Sequence, residues 1–182
     1  DIKIHHSSEA AAIMAAAKEL LMIHGLSRAK ELEEKSQRDG LTGAHNRIYF
    51  DETLRREFHL SAQYKLPLTI AIIDLDHFKQ VNDTHGHLAG DSLLVTVVST
   101  IYEQIRQDDT LSRYGGEEFA LILPGTTLAA SRHLISRLKD AIAAINYKVD
   151  GHYSIRITAS IGVASNEQGV AHFNEPLDMI KA

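Results

Sequence analysis

Two groups of carboxylates stand next to apolar segments of this 182-residue chain. Asp74 and Asp76 end the run LPLTIAIIDLD, and Glu117 and Glu118 follow two glycines in RYGGEEFALIL. In a strand, Asp74 and Asp76 point to the same face, where they need water, a cation or hydrogen-bond donors. If the strand and the glycine turn lie side by side in one sheet, Asp74 approaches Glu117 or Glu118. Converging carboxylates suit Mg²⁺, and paired Mg²⁺ ions catalyse in-line displacement at phosphorus. The alternative is that the two aspartates only end a strand.

The segment between these acids, HFKQVNDTHGHLAGD, gathers a lysine, an amide and further acids. Lys79 has the charge to neutralise phosphate, and Asn82 and Asp91 offer an amide and a carboxylate that match the two hydrogen-bonding edges of guanine. Each also has an ordinary structural explanation, with Asp91 as the N-cap of the next helix and Lys79 as a solvated surface lysine. The sequence has no Walker P-loop and no dinucleotide-binding glycine motif.

Composition excludes several classes of protein. Apolar residues make up 44% of the chain and charged residues 24%, as in a soluble globular domain. The formal charge of −5 gives no support for binding a nucleic-acid polymer, and the absence of cysteine excludes a disulfide framework. No apolar run approaches the ~18 residues of a membrane span, so we expect no membrane segment in this chain, and the absence of cysteine fits a cytoplasmic location.

The elements that must position these residues follow from periodicity. Apolar spacing predicts helices in NRIYFDETLRREFHLSAQ, DSLLVTVVSTIYEQIR and SRHLISRLKDAIAAI, and a buried strand in LPLTIAIIDLD. DTLSRY, GG and EEFALILP form one predicted hairpin, and NYKVDGHYSIRITASIGVA a second, with a turn at Asp150-Gly151 and one long alternating strand after it. This order predicts an α+β fold with a polymerase-palm-like or ferredoxin-like sheet, one face of which helices cover.

Residues 1–38 differ from the rest, because they are rich in helix formers and contain no proline. We interpret them as a helical stalk, or dimer coiled coil, that links the domain to an upstream sensor. A loosely ordered chain end is the alternative.

Several motifs together resemble the GGDEF-domain diguanylate cyclases of bacteria. These are RYGGEEF, DLDHFKQVNDTHGHLAGD, DGLTGAHNR and, as a late strand, TASIGVA. The resemblance covers residues 39–182, with a small departure at Ala44, where the family usually has leucine. It implies a homodimer that condenses two GTP molecules into cyclic di-GMP and releases two pyrophosphates.

The resemblance also implies the metal-binding and catalytic residues. Two Mg²⁺ ions per site, with Mn²⁺ as the alternative, would be bound by Asp74, the Leu75 carbonyl, Glu117 and Glu118. Glu117 would also accept the proton of the 3′-hydroxyl, although a metal-bound carboxylate is a poor base. Lys79 would stabilise charge on the transferred phosphoryl group, and Glu118 would be a supporting acid of the catalytic group.

For the substrate, the resemblance implies that Asn82 and Asp91 read guanine and that His87 lies near the nucleotide. The backbone amides of Phe78 and Lys79 would bind the phosphates.

An inhibitory product site is the family's second feature. RQDD supplies the Arg-x-x-Asp pattern as Arg106 and Asp109, five residues before the glycine pair. Arginine can bind guanine and phosphate in a bidentate manner, and Arg137 on the next helix is a candidate second contact. Without the family spacing, a solvated helix end would explain the same residues.

The family continues with a helix whose basic residues bind the GTP phosphates. We therefore expect a domain that lacks its last helix and strand. Two further hypotheses remain: a receptor that binds cyclic di-GMP or GTP without turnover, and a scaffold that only dimerises. The intact acids favour the enzyme, since receptors of this kind usually lose acids at the turn.

Overall fold

The computed structural model describes residues 14, 18–28, 36–149, 153–167, 169 and 171–182. The chain forms two compact units, residues 1–37 and residues 38–182. In the first unit, residue 14 and residues 18–28 are helical, and five neighbouring large apolar side chains are exposed there: Leu20, Leu21, Met22, Ile23 and Leu26. The role of this unit as a stalk stays a prediction. Within the described ranges, no helix combines the length and apolar character that a bilayer crossing requires.

A four-stranded antiparallel sheet organises the second unit. Its strands lie in the order β2-β3-β1-β6, where β1 is Leu68–Leu75, β2 Thr110–Arg113, β3 Glu118–Pro124 and β6 Ala159–Asn166. Strand β1 pairs with β3 on one side and β6 on the other, which confirms the prediction of a buried strand. The two inner strands carry the acids of the predicted site at neighbouring ends.

The described residues of this unit form five helices, of which the first, third and fourth match the predicted ones, whereas the second and fifth were not predicted. They are α1 (Arg47–Tyr64), α2 (Phe78–His85), α3 (His87–Tyr102), α4 (Leu128–Ala143) and α5 (Pro176–Lys181). In α3, valines and threonines with strand propensity adopt a helix because one apolar face is buried: Leu93, Leu94, Val97, Val98 and Ile101. Tertiary packing therefore decides the conformation of this segment.

Helices cover both faces of the sheet, so the prediction of one covered face is wrong. Side chains of α3 and α4 pack on the face that holds Ala71, Ile73 and Leu75. Side chains of α1 and α5 pack on the opposite face, against Leu68 and Ile70. The physical reason is visible in β1, which is apolar at nearly every position rather than at alternate ones.

The second predicted hairpin divides between two sheets. Strands β4 (Tyr147–Val149) and β5 (Tyr153–Ile155) form a separate two-stranded sheet, and β6 begins only at Ala159. The predicted alternation of buried residues continues from β5 into β6, since Ile155, Ile157 and Ala159 are all buried in the same apolar cluster. The predicted turn at residues 150–151 lies outside the described residues.

Candidate active site

The acidic turn lies against the end of the central strand. Asp74 of β1 is the direct cross-strand partner of Glu118 of β3. The Leu75 amide donates to the Glu117 carbonyl at 3.3 Å, so Glu117 lies beside the same strand end. The structure thus brings Asp74, Leu75 and both glutamates together, as the sequence predicted. Asp74 and Glu118 are exposed, and Glu117 is half-buried.

This arrangement suits a divalent cation that is completed by other ligands. Two carboxylates directly opposite each other repel, and a cation between them would remove that repulsion. Within the described residues, no group of three or more His, Cys, Asp or Glu side chains is placed to hold a metal ion. A bound ion would therefore need carbonyl, water or phosphate oxygens as well, which is the ligand set that Mg²⁺ favours.

Asp76 does not join this group. It accepts hydrogen bonds from the hydroxyls of Thr158 at 2.6 Å and Ser160 at 2.7 Å. These bonds hold the pKa of the Asp76 carboxyl below its usual value. Asp76 therefore ties the end of β1 to β6 and leaves Asp74 as the β1 acid of the site.

The glycine pair makes room for an acid. The amides of Tyr114 and Gly115 donate to the Glu118 carbonyl at 2.8 and 3.1 Å and close the turn. A Cβ on Gly115 would lie 2.4 Å from Glu118 Oε2, whereas one on Gly116 would meet nothing within 4 Å. Neither glycine has a positive φ. A side chain at Gly115 would therefore force the Glu118 carboxylate to move, whereas neither glycine is required for a left-handed backbone.

Helices α2 and α3 carry the predicted nucleotide-binding residues. Asn82 lies on α2, and its Oδ1 is so close to α3 that a Cβ on Gly90 would be 1.9 Å away. Asp91 follows Gly90 directly, so the fold brings Asn82 near Asp91. Helix α3 already begins at His87, which shows that the N-cap explanation of Asp91 is wrong.

The start of α2 offers free amides next to the acids. Phe78 and Lys79 are its first two residues, and the first amides of a helix have no acceptor within that helix. The Phe78 side chain is buried in the core and fixes this end of the helix. Anions bind well at such ends, so the position fits phosphate binding by the backbone.

The Arg-x-x-Asp residues form a closed turn between α3 and β2. The Arg106 amide donates to Asp109 Oδ2 at 2.8 Å, and the Asp109 amide donates to the Arg106 carbonyl at 3.1 Å. Burial raises the pKa of the Asp109 carboxyl. Arg137 of α4 donates to the Gln104 side chain at 3.2 Å and to the Gln104 carbonyl at 2.6 Å. All three predicted inhibitory residues thus belong to one surface region.

Sequence reasoning missed the partners of Arg113. Its guanidinium contacts Asp39, which lies 74 residues earlier, and the Gly116 carbonyl. Both residues stood within the motifs DGLTGAHNR and RYGGEEF, but neither motif reveals that they meet.

Comparisons with known proteins agree with this geometry. Residues 36–179 match the family model described as "Diguanylate cyclase, GGDEF domain". The chain is 39% identical over 150 residues to the diguanylate cyclase DgcP of Pseudomonas aeruginosa, which covers 81% of this chain and 22% of that protein. It is 34% identical over 146 residues to the probable diguanylate cyclase DgcC of Escherichia coli, covering 80% of this chain and 39% of that protein. The chain therefore spans well under half the length of these two relatives.

Solved structures share the fold. The coiled coil and GGDEF domain of DgcB from Caulobacter crescentus, in complex with c-di-GMP, superposes with a TM-score of 0.81 at 25% identity, covering 94% of this chain and 87% of that one. The diguanylate cyclase SiaD of Pseudomonas aeruginosa, solved with its activator SiaC, gives a TM-score of 0.73 at 33% identity, covering 98% and 70%. With its family match over residues 36–179, this chain belongs to the GGDEF-domain family of diguanylate cyclases.

Proposed function

We propose that this chain is the catalytic domain of a diguanylate cyclase, which joins two GTP molecules into cyclic di-GMP and releases two pyrophosphates. The observation that carries the proposal is the pairing of Asp74 with Glu118, with Glu117 on the adjoining turn. Family membership and the names of the relatives support the same reaction.

In this proposal the chain's residues bind and orient GTP. Asn82 and Asp91 read guanine at the contact between α2 and α3, and His87 lies beside the nucleotide. The amides of Phe78 and Lys79 bind phosphate at the start of α2, while the Lys79 ammonium stabilises charge on the transferred group. The acids therefore act on the α-phosphate end of a nucleotide that is already held.

The acids hold the metal and direct the attack. Asp74, the Leu75 carbonyl, Glu117 and Glu118 would bind Mg²⁺, with Mn²⁺ as an alternative. When bound, the ions would supply Lewis-acid stabilisation of the phosphoryl oxygens. The 3′-oxygen of one GTP forms a bond to the α-phosphorus of the other, and the bond to the leaving pyrophosphate breaks. Glu117 accepts the hydroxyl proton in this assignment.

The reaction needs two domains that face each other, because each site holds one GTP. We propose a homodimer in the bacterial cytoplasm whose geometry is set through residues 1–38 by an upstream sensor. Cyclic di-GMP would inhibit by binding to Arg106, Asp109 and Arg137.

The test is product formation from GTP and Mg²⁺ by the purified protein, followed by chromatography. Glu117→Gln should abolish cyclic di-GMP formation and leave the circular dichroism spectrum unchanged. Glu52→Gln, on the exposed face of α1, is the matched control and should keep full activity. A folded, dimeric wild-type protein that makes no cyclic di-GMP would overturn the proposal. Nucleotide binding by calorimetry without turnover would identify a receptor instead.

A further inference from the structure

Arg113 connects two distant parts of the domain. It is the last residue of β2, two positions before the glycine pair. Its Nε and Nη2 both donate to the Gly116 carbonyl, at 3.1 and 2.7 Å. Its Nη1 donates to both carboxylate oxygens of Asp39, at 3.1 and 3.3 Å. All three guanidinium nitrogens therefore contact acceptors of the protein itself.

This pair is unlike an ordinary surface ion pair. The side chains of Arg113 and Asp39 are only 17% and 22% exposed. A partly buried pair with several hydrogen bonds is less screened than an exposed one and holds a more defined geometry. The planar fork of arginine makes this arrangement possible, and the single ammonium of lysine cannot reproduce it.

Asp39 is itself firmly held. It accepts hydrogen bonds from the amide and the hydroxyl of Thr42, at 2.9 and 2.6 Å. The Asp39 amide donates to the Ala44 carbonyl, and the Gly43 amide donates back to the Asp39 carbonyl. Although burial alone would raise it, the bonds from Thr42 and Arg113 keep the pKa of the Asp39 carboxyl below its usual value. The anchor of Arg113 is thus a charged group in a closed loop.

The same loop also binds the backbone of β2. The Arg113 amide donates to the His45 carbonyl at 2.7 Å, and the His45 amide donates to the Leu111 carbonyl at 3.1 Å. Arg113 therefore contacts residues 39–45 through both its backbone and its side chain. The position of this loop and the position of the guanidinium are fixed together.

The hydrogen bonds from Arg113 restrain Gly116, a residue that little else holds in place. A side chain at Gly116 would meet nothing within 4 Å, so packing does not hold this residue. Among the described residues, its carbonyl accepts hydrogen bonds from Arg113 alone. The next residue is Glu117, whose own carbonyl is held by the Leu75 amide. Arg113 and Leu75 thus restrain the backbone on the two sides of the Glu117 Cα.

We propose that Arg113 is a positioning residue: anchored by Asp39, it fixes the Gly116 carbonyl and thereby the backbone from which Glu117 reaches the reacting groups. The catalytic consequence rests on the proposed cyclase function. The restraint of the glycine turn by Arg113 does not depend on that function, and it can be measured without any enzymatic activity.

The kinetic test compares Arg113→Lys, Asp39→Asn and their double variant in the full chain. Each single variant should lower kcat about ten- to a hundredfold, because a small displacement of a catalytic group is enough for such a loss. The dissociation constant of 3′-deoxy-GTP, which lacks the attacking hydroxyl, should change by less than about threefold, because Arg113 does not touch the substrate. The double variant should lose no more activity than Arg113→Lys alone, since the two residues act as one unit.

Hydrogen exchange supplies the readout that needs no activity. The amides of Tyr114 and Gly115 close the turn onto Glu118 and should exchange about tenfold faster in both single variants. Arg56→Lys is the matched control, because the Arg56 side chain is 59% exposed and pairs with Glu57 far from the turn in sequence, and it should change neither exchange nor kcat. If Arg113→Lys unfolds, Thr42→Val can replace it, because this change removes only one hydrogen bond to Asp39. It should also speed amide exchange and lower kcat, but by smaller factors.

The outcomes separate the two proposals. A wild-type protein without cyclase activity but with the predicted exchange pattern would reject the proposed function and keep the positioning role of Arg113. Unchanged exchange in folded variants would reject the positioning role. A loss of 3′-deoxy-GTP affinity that accounts for the whole activity loss would show that Arg113 binds substrate instead.

Discussion

Asp74 of β1 and Glu118 of β3 lie directly opposite each other at one end of the two inner strands of the sheet. No cation of the described residues pairs with either carboxylate. Like charges opposite each other in a sheet cost roughly 0.2–1 kcal/mol. We therefore expect the two charges to repel and a bound cation to relieve that repulsion.

Removing one charge should make the domain more stable without metal. We expect Asp74→Asn to raise the melting temperature in chelator, because the repulsion disappears. Mg²⁺ should raise the melting temperature of the wild type and have little effect on the variant. Thermal unfolding with and without Mg²⁺ measures both effects, and Glu52→Gln should behave as the wild type. Equal Mg²⁺ shifts in wild type and Asp74→Asn would exclude Asp74 as a ligand.

Gly90 controls the position of Asn82. A Cβ at this position would lie 1.9 Å from Asn82 Oδ1, so Gly90→Ala must displace the amide. The KM for GTP should then rise about tenfold, the equivalent of a lost hydrogen bond, and the preference for GTP over ATP should fall. Alanine is favoured over glycine in a helix by about 1 kcal/mol, but Gly90 is buried and its new Cβ would also lie 3.2 Å from the Phe78 ring, so we expect no net gain in stability.

Steady-state kinetics with GTP and ATP test this expectation. Gly162→Ala is the matched control, because a Cβ there meets nothing within 4 Å. Asn82→Ala should match Gly90→Ala, and the double variant should be no worse than either. An unchanged KM in Gly90→Ala would mean that Asn82 does not contact the substrate.

Much of the site could be predicted because local pattern and chain order determine it. An apolar strand that ends in acids, followed later by a glycine turn with acids, requires only antiparallel pairing to bring Asp74 to the turn. The sequence does not determine which residue of β3 lies opposite which residue of β1. In the structure, Glu118 rather than Glu117 lies opposite Asp74. The apolar strands also indicated a core, but only the contacts of α1 and α5 show that both faces are covered.

Partners that are distant in sequence could not be predicted. Asp76 is bound by Thr158, 82 residues later, and Arg113 by Asp39, 74 residues earlier. No periodicity links such residues, because the complete tertiary fold determines their contacts. Aspartates with similar local surroundings, such as Asp74 and Asp76, therefore have different roles.

The inhibitory surface should lose product binding in a graded way. Arg106 is exposed and its guanidinium makes no hydrogen bond to described residues, whereas two nitrogens of Arg137 already bind Gln104. We expect Arg106→Ala to raise the inhibitory concentration of cyclic di-GMP more than about tenfold, and Arg137→Ala to raise it less. Arg132→Ala, also exposed on α4, should have no effect. Initial rates at several product concentrations measure this order, and normal inhibition of Arg106→Ala would remove Arg106 from the site.

The Asp39 carboxylate should stabilise the domain at neutral pH and lose that effect in acid. Its pKa is lowered in the folded state, since the bonds from Thr42 and Arg113 outweigh the burial that raises it. A lowered carboxyl pKa contributes stability above the unfolded value of about 3.9, and this contribution disappears as the pH falls through the folded pKa. Asp39→Asn should therefore be less stable than the wild type from neutral pH down to about pH 4, and the difference should shrink only as the pH falls further, through the lowered folded pKa of Asp39. Asp109, whose pKa burial raises, acts in the opposite direction but is common to both proteins and cancels in the comparison.

Urea unfolding across this pH range measures the difference in stability between Asp39→Asn and the wild type, with Arg56→Lys as the control. Equal stability of Asp39→Asn and wild type at neutral pH would show that the Asp39–Arg113 pair does not stabilise the fold, and the amide exchange of the turn would then have to be explained without it.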